Sequence, residues 1–202
     1  MKKVLILVLL AGLLALSCKS TRTTPPAGKT PEDTTGMSGP VLLADSQFSA
    51  ARAGDLAELK RFAAHGGDLA NMTDPYHSTL LHSAADGGQV DVASYLIGKG
   101  SNVNAVNDDG FTPLHNCALH GDSATAELLI KKGAVIYTRD NNQMTPLHLC
   151  GLNNNVGVAK ALILHGANVN DHTTTNWTPL RVAQYGKAND VIALLQEHGA
   201  TE

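Results

Sequence analysis

The chain opens with an unbroken apolar run, Val4 to Leu16, thirteen residues long and preceded by Met1-Lys2-Lys3. A bilayer-spanning helix needs about 20 apolar residues, so the run predicts the core of a signal peptide instead. The pattern then turns polar: Lys19 to Pro40 reads KSTRTTPPAGKTPEDTTGMSGP. Such a segment has almost nothing to bury and cannot recover its ordering entropy by packing, which predicts a disordered tether. At about 3.1 Å per residue in polyproline-like geometry it spans several tens of ångströms.

From residue 41 the apolar positions fall into short clusters with a fixed interval. Thr79, Thr112, Thr145 and Thr178 are 33 residues apart, as are His82, His115 and His148, with Arg181 in the fourth place. Gly100, Gly133, Gly166 and Gly199 keep the same spacing. One period further back lie Ser46, Ser49, Ala51 and Gly67, which predicts a degenerate first unit. Within a unit, Thr before Pro predicts a helix N-cap and first helical position. A second helix carries Leu128, Leu129 and Ile130, or Leu162, Ile163 and Leu164, all expected to face inward. Gly133 and Gly166 are expected to end those helices in the left-handed conformation. Asn107-Asp108-Asp109-Gly110 predicts a turn projecting as a short hairpin. One unit cannot bury its own apolar face, so the array is stable only when stacked.

Thr112-Pro113-Leu114-His115-Asn116-Cys117-Ala118 and Thr145-Pro146-Leu147-His148-Leu149-Cys150-Gly151 carry a T-P-L-H-x-A-A signature. It returns in Thr79-Leu80-Leu81-His82 and Thr178-Pro179-Leu180-Arg181, and units close on Gly100-Ser101-Asn102-Val103-Asn104 or Gly166-Ala167-Asn168-Val169-Asn170. On these residues the chain resembles the ankyrin repeat family. The resemblance implies an all-α repeat solenoid of about five helix-turn-helix units joined by β-hairpin loops. The expected organisation is a signal peptide over 1–17, the tether over 18–40 and a repeat domain over 41–202. Its repeats fall at about 41–72, 73–106, 107–139, 140–172 and 173–202. The end repeats look like caps, with Asp55, Glu58, Lys60 and Arg61 around Leu56, Leu59 and Phe62 in the first, and Arg181 and Gln196-Glu197-His198 in the last.

Composition narrows the function. Apolar residues make up 43 % and aromatic residues only 4 %, so the core is aliphatic. Net charge is −3, and without Lys2 and Lys3 it falls to −5. No field of that sign collects nucleic acid, and anionic lipid would mildly repel it. The apolar run ends at Ala15-Leu16-Ser17-Cys18, similar to a relaxed bacterial lipobox, which implies acylation of Cys18 and a membrane-anchored lipoprotein. Ordinary cleavage near Ala15 or Ser17, releasing a soluble periplasmic protein, is the alternative. Lys19 after the cysteine favours an outer-membrane location facing the periplasm.

The remaining chemistry points away from catalysis. His82, His115 and His148 are the family's signature histidines, implied to tie hairpin to helix. Equivalent points of stacked helices lie about 8–10 Å apart, too far to share one metal ion. Cys117 and Cys150 are one period apart, at the position also assigned to Ala51, Ala84 and Ala183. They are expected to be inert buried thiols, too distant for a disulfide. No phosphate loop, nucleophile elbow or metalloprotease helix occurs, so no enzyme activity, metal or cofactor is expected.

In the ankyrin family, partners usually meet the concave face made by hairpin tips and the exposed side of the first helices. The position before each signature Thr holds Ser78, Phe111, Met144 and Trp177, expected to be free of folding duty. Exposed first-helix positions are Asp86, Leu119 and His120, Leu152 and Asn153, and Gln184 and Tyr185. The tips add Tyr76, Asp109, Asn141, Asn142 and Thr175. Apolar and aromatic anchors in a polar surround suit an interface with another protein. The chain is therefore expected to be a monomeric protein-binding module of the cell envelope. Within that class it could serve as a scaffold, as an inhibitor or immunity factor, or in protection against stress. A small-ligand or glycan binder, with Trp177 and Tyr185 as a stacking platform, is the other class.

Overall fold

Residues 40–201 are described by a computed structural model. The expected signal peptide, Cys18 and residues 18–39 of the expected tether lie outside the described residues.

Thr112, Thr145 and Thr178 adopt extended backbone at the N-cap, and Pro113, Pro146 and Pro179 take the first helical position, where the absent N–H costs nothing. The first helices that follow are short: α3 (Leu80–Asp86), α5 (Pro113–Leu119), α7 (Pro146–Cys150) and α9 (Pro179–Gly186). Helices of this length do not persist alone in water and depend on their neighbours. Each is paired with a second helix: α4 (Val90–Gly98), α6 (Ser123–Lys131), α8 (Val156–Leu164) and α10 (Asn189–Glu197). Before them stand α1 (Pro40–Ala53) and α2 (Leu56–Ala64). The first helices α1, α3, α5, α7 and α9 stack in sequence, and α4, α6, α8 and α10 form a second layer beside them.

The core lies between the layers. Leu81, Leu114, Leu147 and Leu180 from the first helices meet Leu96, Leu129, Leu162 and Leu195 from the second, all essentially inaccessible. Burying one such side chain contributes roughly 1.5–3 kcal/mol. Ala84, Cys117, Cys150 and Ala183 are fully buried where first helices approach one another. The approach is close: a Cβ added at Gly186 would come within 2.3 Å of the Gly151 carbonyl oxygen.

Three expectations are corrected here. The first unit is offset by 34 positions, not 33. Leu56 opens α2 and Val90 opens α4, and Gly66, not Gly67, takes the positive φ that Gly100 shows. This pairs Ala50, not Ala51, with Ala84. Second, three successive helical residues cannot all face inward, because each turns about 100° from the last. Leu129 and Leu162 are buried, Leu128, Ile130 and Ile163 are half-buried, and Leu164 is 79 % exposed.

Third, the hairpin loops contain no named strand among the described residues, only an isolated antiparallel bridge between Thr73 and Thr79. Each loop closes instead on a single rung. Asp74 N donates to Ser78 O, Asn107 N to Phe111 O, Asp140 N to Met144 O and Thr173 N to Trp177 O, at 2.9–3.0 Å. One rung per loop is too few for a ladder. The residue just before the last in each loop takes positive φ, at His77, Gly110, Gln143 and Asn176. Only one of the four is Gly, so local strain at the others is held by the closed loop.

Candidate protein-binding face

The signature histidines fasten each repeat to the next. His82 Nδ1 accepts the Thr79 N–H at 3.0 Å, with the Thr79 hydroxyl 2.9 Å away, and Nε2 donates to Phe111 O at 3.0 Å. Accepting a main-chain N–H requires Nδ1 to be bare, which leaves the proton on Nε2, aimed at the carbonyl. His115 repeats the pattern toward Met144 O and His148 toward Trp177 O. Burial lowers all three pKa values, with His115 and His148 pushed down to about 4. These rings are neutral structural clamps. At the fourth place Arg181 turns back to its own loop, donating to Asn176 O at 2.8 Å.

The row before each Thr does not share one environment. Phe111 and Met144 are 7 % and 6 % exposed, so the expectation that they are spare surface groups is overturned. Their carbonyls are the histidine acceptors, and the Phe111 ring stacks on His115 with centroids 5.5 Å apart and planes 7° from parallel. The clamp alone does not set this burial, because Trp177 O accepts from His148 in the same way. Ser78 and Trp177 are half-buried. Trp177 has Arg181 over its ring at 5.5 Å and Tyr185 edge-on at 5.9 Å.

The other expected contact residues remain at the surface. Tyr76 is 66 % exposed and Tyr185 38 %. Asp109, His120 and Asn153 are exposed, and Leu119, Asn142 and Leu152 are half-buried. Several also join neighbouring repeats. Asp86 accepts His120 Nδ1 on one carboxylate oxygen at 2.7 Å and pairs with Arg52 through the other. Asn153 Nδ2 donates to Leu119 O at 2.8 Å. The tips link as well, since Asp108 N donates to Tyr76 O and Asn141 N to Asp109 O. The face is thus held in register by its own polar groups. At its N-terminal end a depression of about 520 Å³ is lined by Phe48, Ser49, Arg52, Asp74, Pro75, Tyr76 and Ser83.

Sequence reasoning missed the residues that shape the tips. Asp74, Asn107, Asp140 and Thr173 stand five positions before each signature Thr. Each accepts the N–H four residues on at 2.8–3.1 Å, and the first three also accept the N–H two residues on. Their 33-residue spacing was visible, but their differing chemistry concealed it. Asn107 Nδ2 donates across to Ser78 Oγ at 3.1 Å. The residue corresponding to Ser78 for Asp140 is Phe111, which has no donor to offer. Asp140 Oδ2 is accordingly buried without a partner, and burial raises the carboxyl pKa.

Cys117 and Cys150 are free and buried, and burial pushes both thiols far up from their ordinary range. The Cys117 thiol donates to Ala85 O at 3.5 Å, a packing role. Among the described residues no group of three or more His, Cys, Asp or Glu is placed to hold a metal ion.

A search of curated proteins found no match to the chain. A family model described as ankyrin repeats, three copies, matches residues 48–140 and again 133–201. These matches span the same stacked helix pairs and histidine clamps, and the chain belongs to the ankyrin repeat family.

Proposed function

We propose that this chain is a protein-binding module of a bacterial cell envelope, held to the outer membrane through acylated Cys18 and facing the periplasm as a monomer. Ankyrin repeats generally mediate protein–protein interaction, and that coarser role belongs to the family. The observation that supports a binding face is the row of exposed groups on a surface that polar cross-links hold in register. Tyr76, Asp109, His120, Asn153 and Tyr185 project from four successive repeats, and half-buried Trp177 sits beside Tyr185. Rigid aromatic anchors in a polar surround lose little entropy on binding. Phe111 and Met144 are excluded as anchors by their burial. A glycan platform at Trp177 and Tyr185 is disfavoured, because Arg181 covers the indole and Tyr185 meets it edge-on. Whether binding serves a scaffold, an inhibitor or immunity factor, or stress protection is decided by the partner.

Two measurements test the two halves of the proposal. Cys18→Ser should abolish lipid labelling and move the protein to the soluble envelope fraction; absence of acyl incorporation in the wild type removes the anchor. Affinity capture from envelope extracts should yield a defined protein, and Tyr76→Ala with Tyr185→Ala should weaken capture about thirtyfold, with melting temperature nearly fixed. Retained capture by that folded variant moves the binding surface elsewhere.

A further inference from the structure

The hairpin tips, 73–78, 106–111, 139–144 and 172–177, contain no lysine and a single arginine, Arg139. Against it stand Asp74, Asp108, Asp109 and Asp140. Arg139 is committed elsewhere: it forks onto both carboxylate oxygens of Asp171 at 2.8 and 3.0 Å and donates to Gln143 O. The bases of the neighbouring first helices are engaged too, Arg52 by Asp86 and Arg181 by Asn176 O and the Trp177 ring. Asp108 has the His77 ring at 2.7 Å, while Asp74, Asp109 and Asp140 form no ion pair among the described residues. The tips of the second, third and fourth repeats therefore carry uncompensated negative charge.

Asp140 and Tyr76 show what this charge awaits. Asp140 is 2 % exposed, and its Oδ2 has no hydrogen-bond partner. Its counterpart one repeat earlier, Asn107 Nδ2, reaches back to Ser78 in the preceding tip. Asp140 Oδ2 is thus aimed at the tip that carries Asp108 and Asp109. The Asp109 charge adds to burial in raising the Asp140 carboxyl pKa, so the two groups share one field. Tyr76 is 66 % exposed beside them, its carbonyl accepting Asp108 N at 3.0 Å. Tyr95 and Trp177 have cations of this chain over their rings at 5.5–5.8 Å, whereas Tyr76 has none. No three acidic or histidine groups converge to hold a metal ion among the described residues, which favours cations carried on a larger molecule.

We propose that the partner of this face presents a basic segment, its lysine or arginine side chains lying against Asp108 and Asp109 and over the Tyr76 ring. The inference rests on the protein-binding reading above and names the chemistry of the partner. A cation placed beside a carboxylate and over an exposed ring gains from both. Asp74 and buried Asp140 act without contact, by deepening the negative potential at the tips. The fifth tip holds no acid and has Arg181 against it, which confines the segment to the second, third and fourth repeats.

The test screens the full chain, held in neutral detergent, against a displayed library of short random peptides. Selected peptides should carry several lysines or arginines, and their binding should fall at least about tenfold on Asp108→Asn with Asp109→Asn. Tyr76→Ala should weaken it about as much, with the melting temperature nearly fixed in both variants. Asp91→Asn with Glu197→Gln, which removes the same charge from exposed sites on the second-helix side, should leave binding unchanged. Peptides without basic residues that still lose affinity on Tyr185→Ala overturn the proposal and leave the face a binding surface. Failure to select any peptide, or peptides indifferent to Tyr76, Asp109 and Tyr185 alike, overturns the proposal together with the reading it rests on. Equal losses in the second-helix variant reduce the effect to overall charge and overturn it. So does binding that requires added calcium and is abolished by a chelator, which would give the tips to a metal ion.

Discussion

The hairpin side and the second-helix side of this array are held by different forces. On the hairpin side, directional hydrogen bonds fix each repeat to the next: the His82, His115 and His148 clamps, the Asp108–Tyr76 and Asn141–Asp109 tip links, and the Arg52–Asp86–His120 group. The second-helix layer relies mainly on the repeated leucines Leu96, Leu129, Leu162 and Leu195. Burial is non-directional and tolerates variation on the outer helix surface, so charged residues of both signs and an exposed leucine occur there. Hydrogen bonds tolerate little variation in geometry, so the backbone at Phe111, Met144 and Trp177 is held alike while the side chains differ in burial.

Acid should separate the two sides most strongly. His115 and His148 have folded-state pKa values of about 4, below the ordinary 6.5, so folding favours their neutral rings. Their contribution is complete above pH 6.5 and is lost as pH falls toward 4. From pH 7 to pH 5 each ring should cost about 2 kcal/mol, read as a lower urea midpoint. His82 acts in the same direction and Asp140, whose pKa is raised, in the opposite one. A midpoint unchanged between these pH values would show that the clamps do not hold the fold.

The next largest effect distinguishes two aromatics in equivalent positions. Phe111→Ala should cost about 3 kcal/mol, because it empties a buried site against His115. Trp177→Ala should cost about 1 kcal/mol, since its ring is half-buried and rests on Arg181 and Tyr185. Equal losses in thermal unfolding would mean that the position before the signature Thr has one role throughout the array. The smallest effect belongs to the second-helix side. Leu164→Ser should change stability by less than about 0.5 kcal/mol, as an exposed site with no packing partner to lose; a larger loss in urea unfolding would make Leu164 part of the core.

Much of the fold was legible because the period is carried by residues with strong local roles. Thr before Pro begins a helix, Gly after it ends one, and a 33-residue recurrence of both allows little but stacked helix pairs. The candidate face was less legible. Exposure of Tyr76, Asp109, His120 and Asn153 followed from their place on tips and first helices, whereas the burial of Phe111 and Met144 showed only in the folded array. The loop-shaping row at Asp74, Asn107, Asp140 and Thr173 escaped notice because three residue types perform one hydrogen-bonding task.

The sequence by itself determined the repeat family, the helix pairs and the inert state of Cys117 and Cys150, since each rests on spacing and local chemistry, and the family resemblance implied the structural role of the histidines. Only the tertiary structure decided which apolar side chains are spare. It set the 34-residue offset of the first repeat and turned Leu164 outward while Leu162 went in. The physical reason is that burial is settled between repeats, by the neighbour a side chain meets across the stack, and that neighbour is about one full period away along the chain.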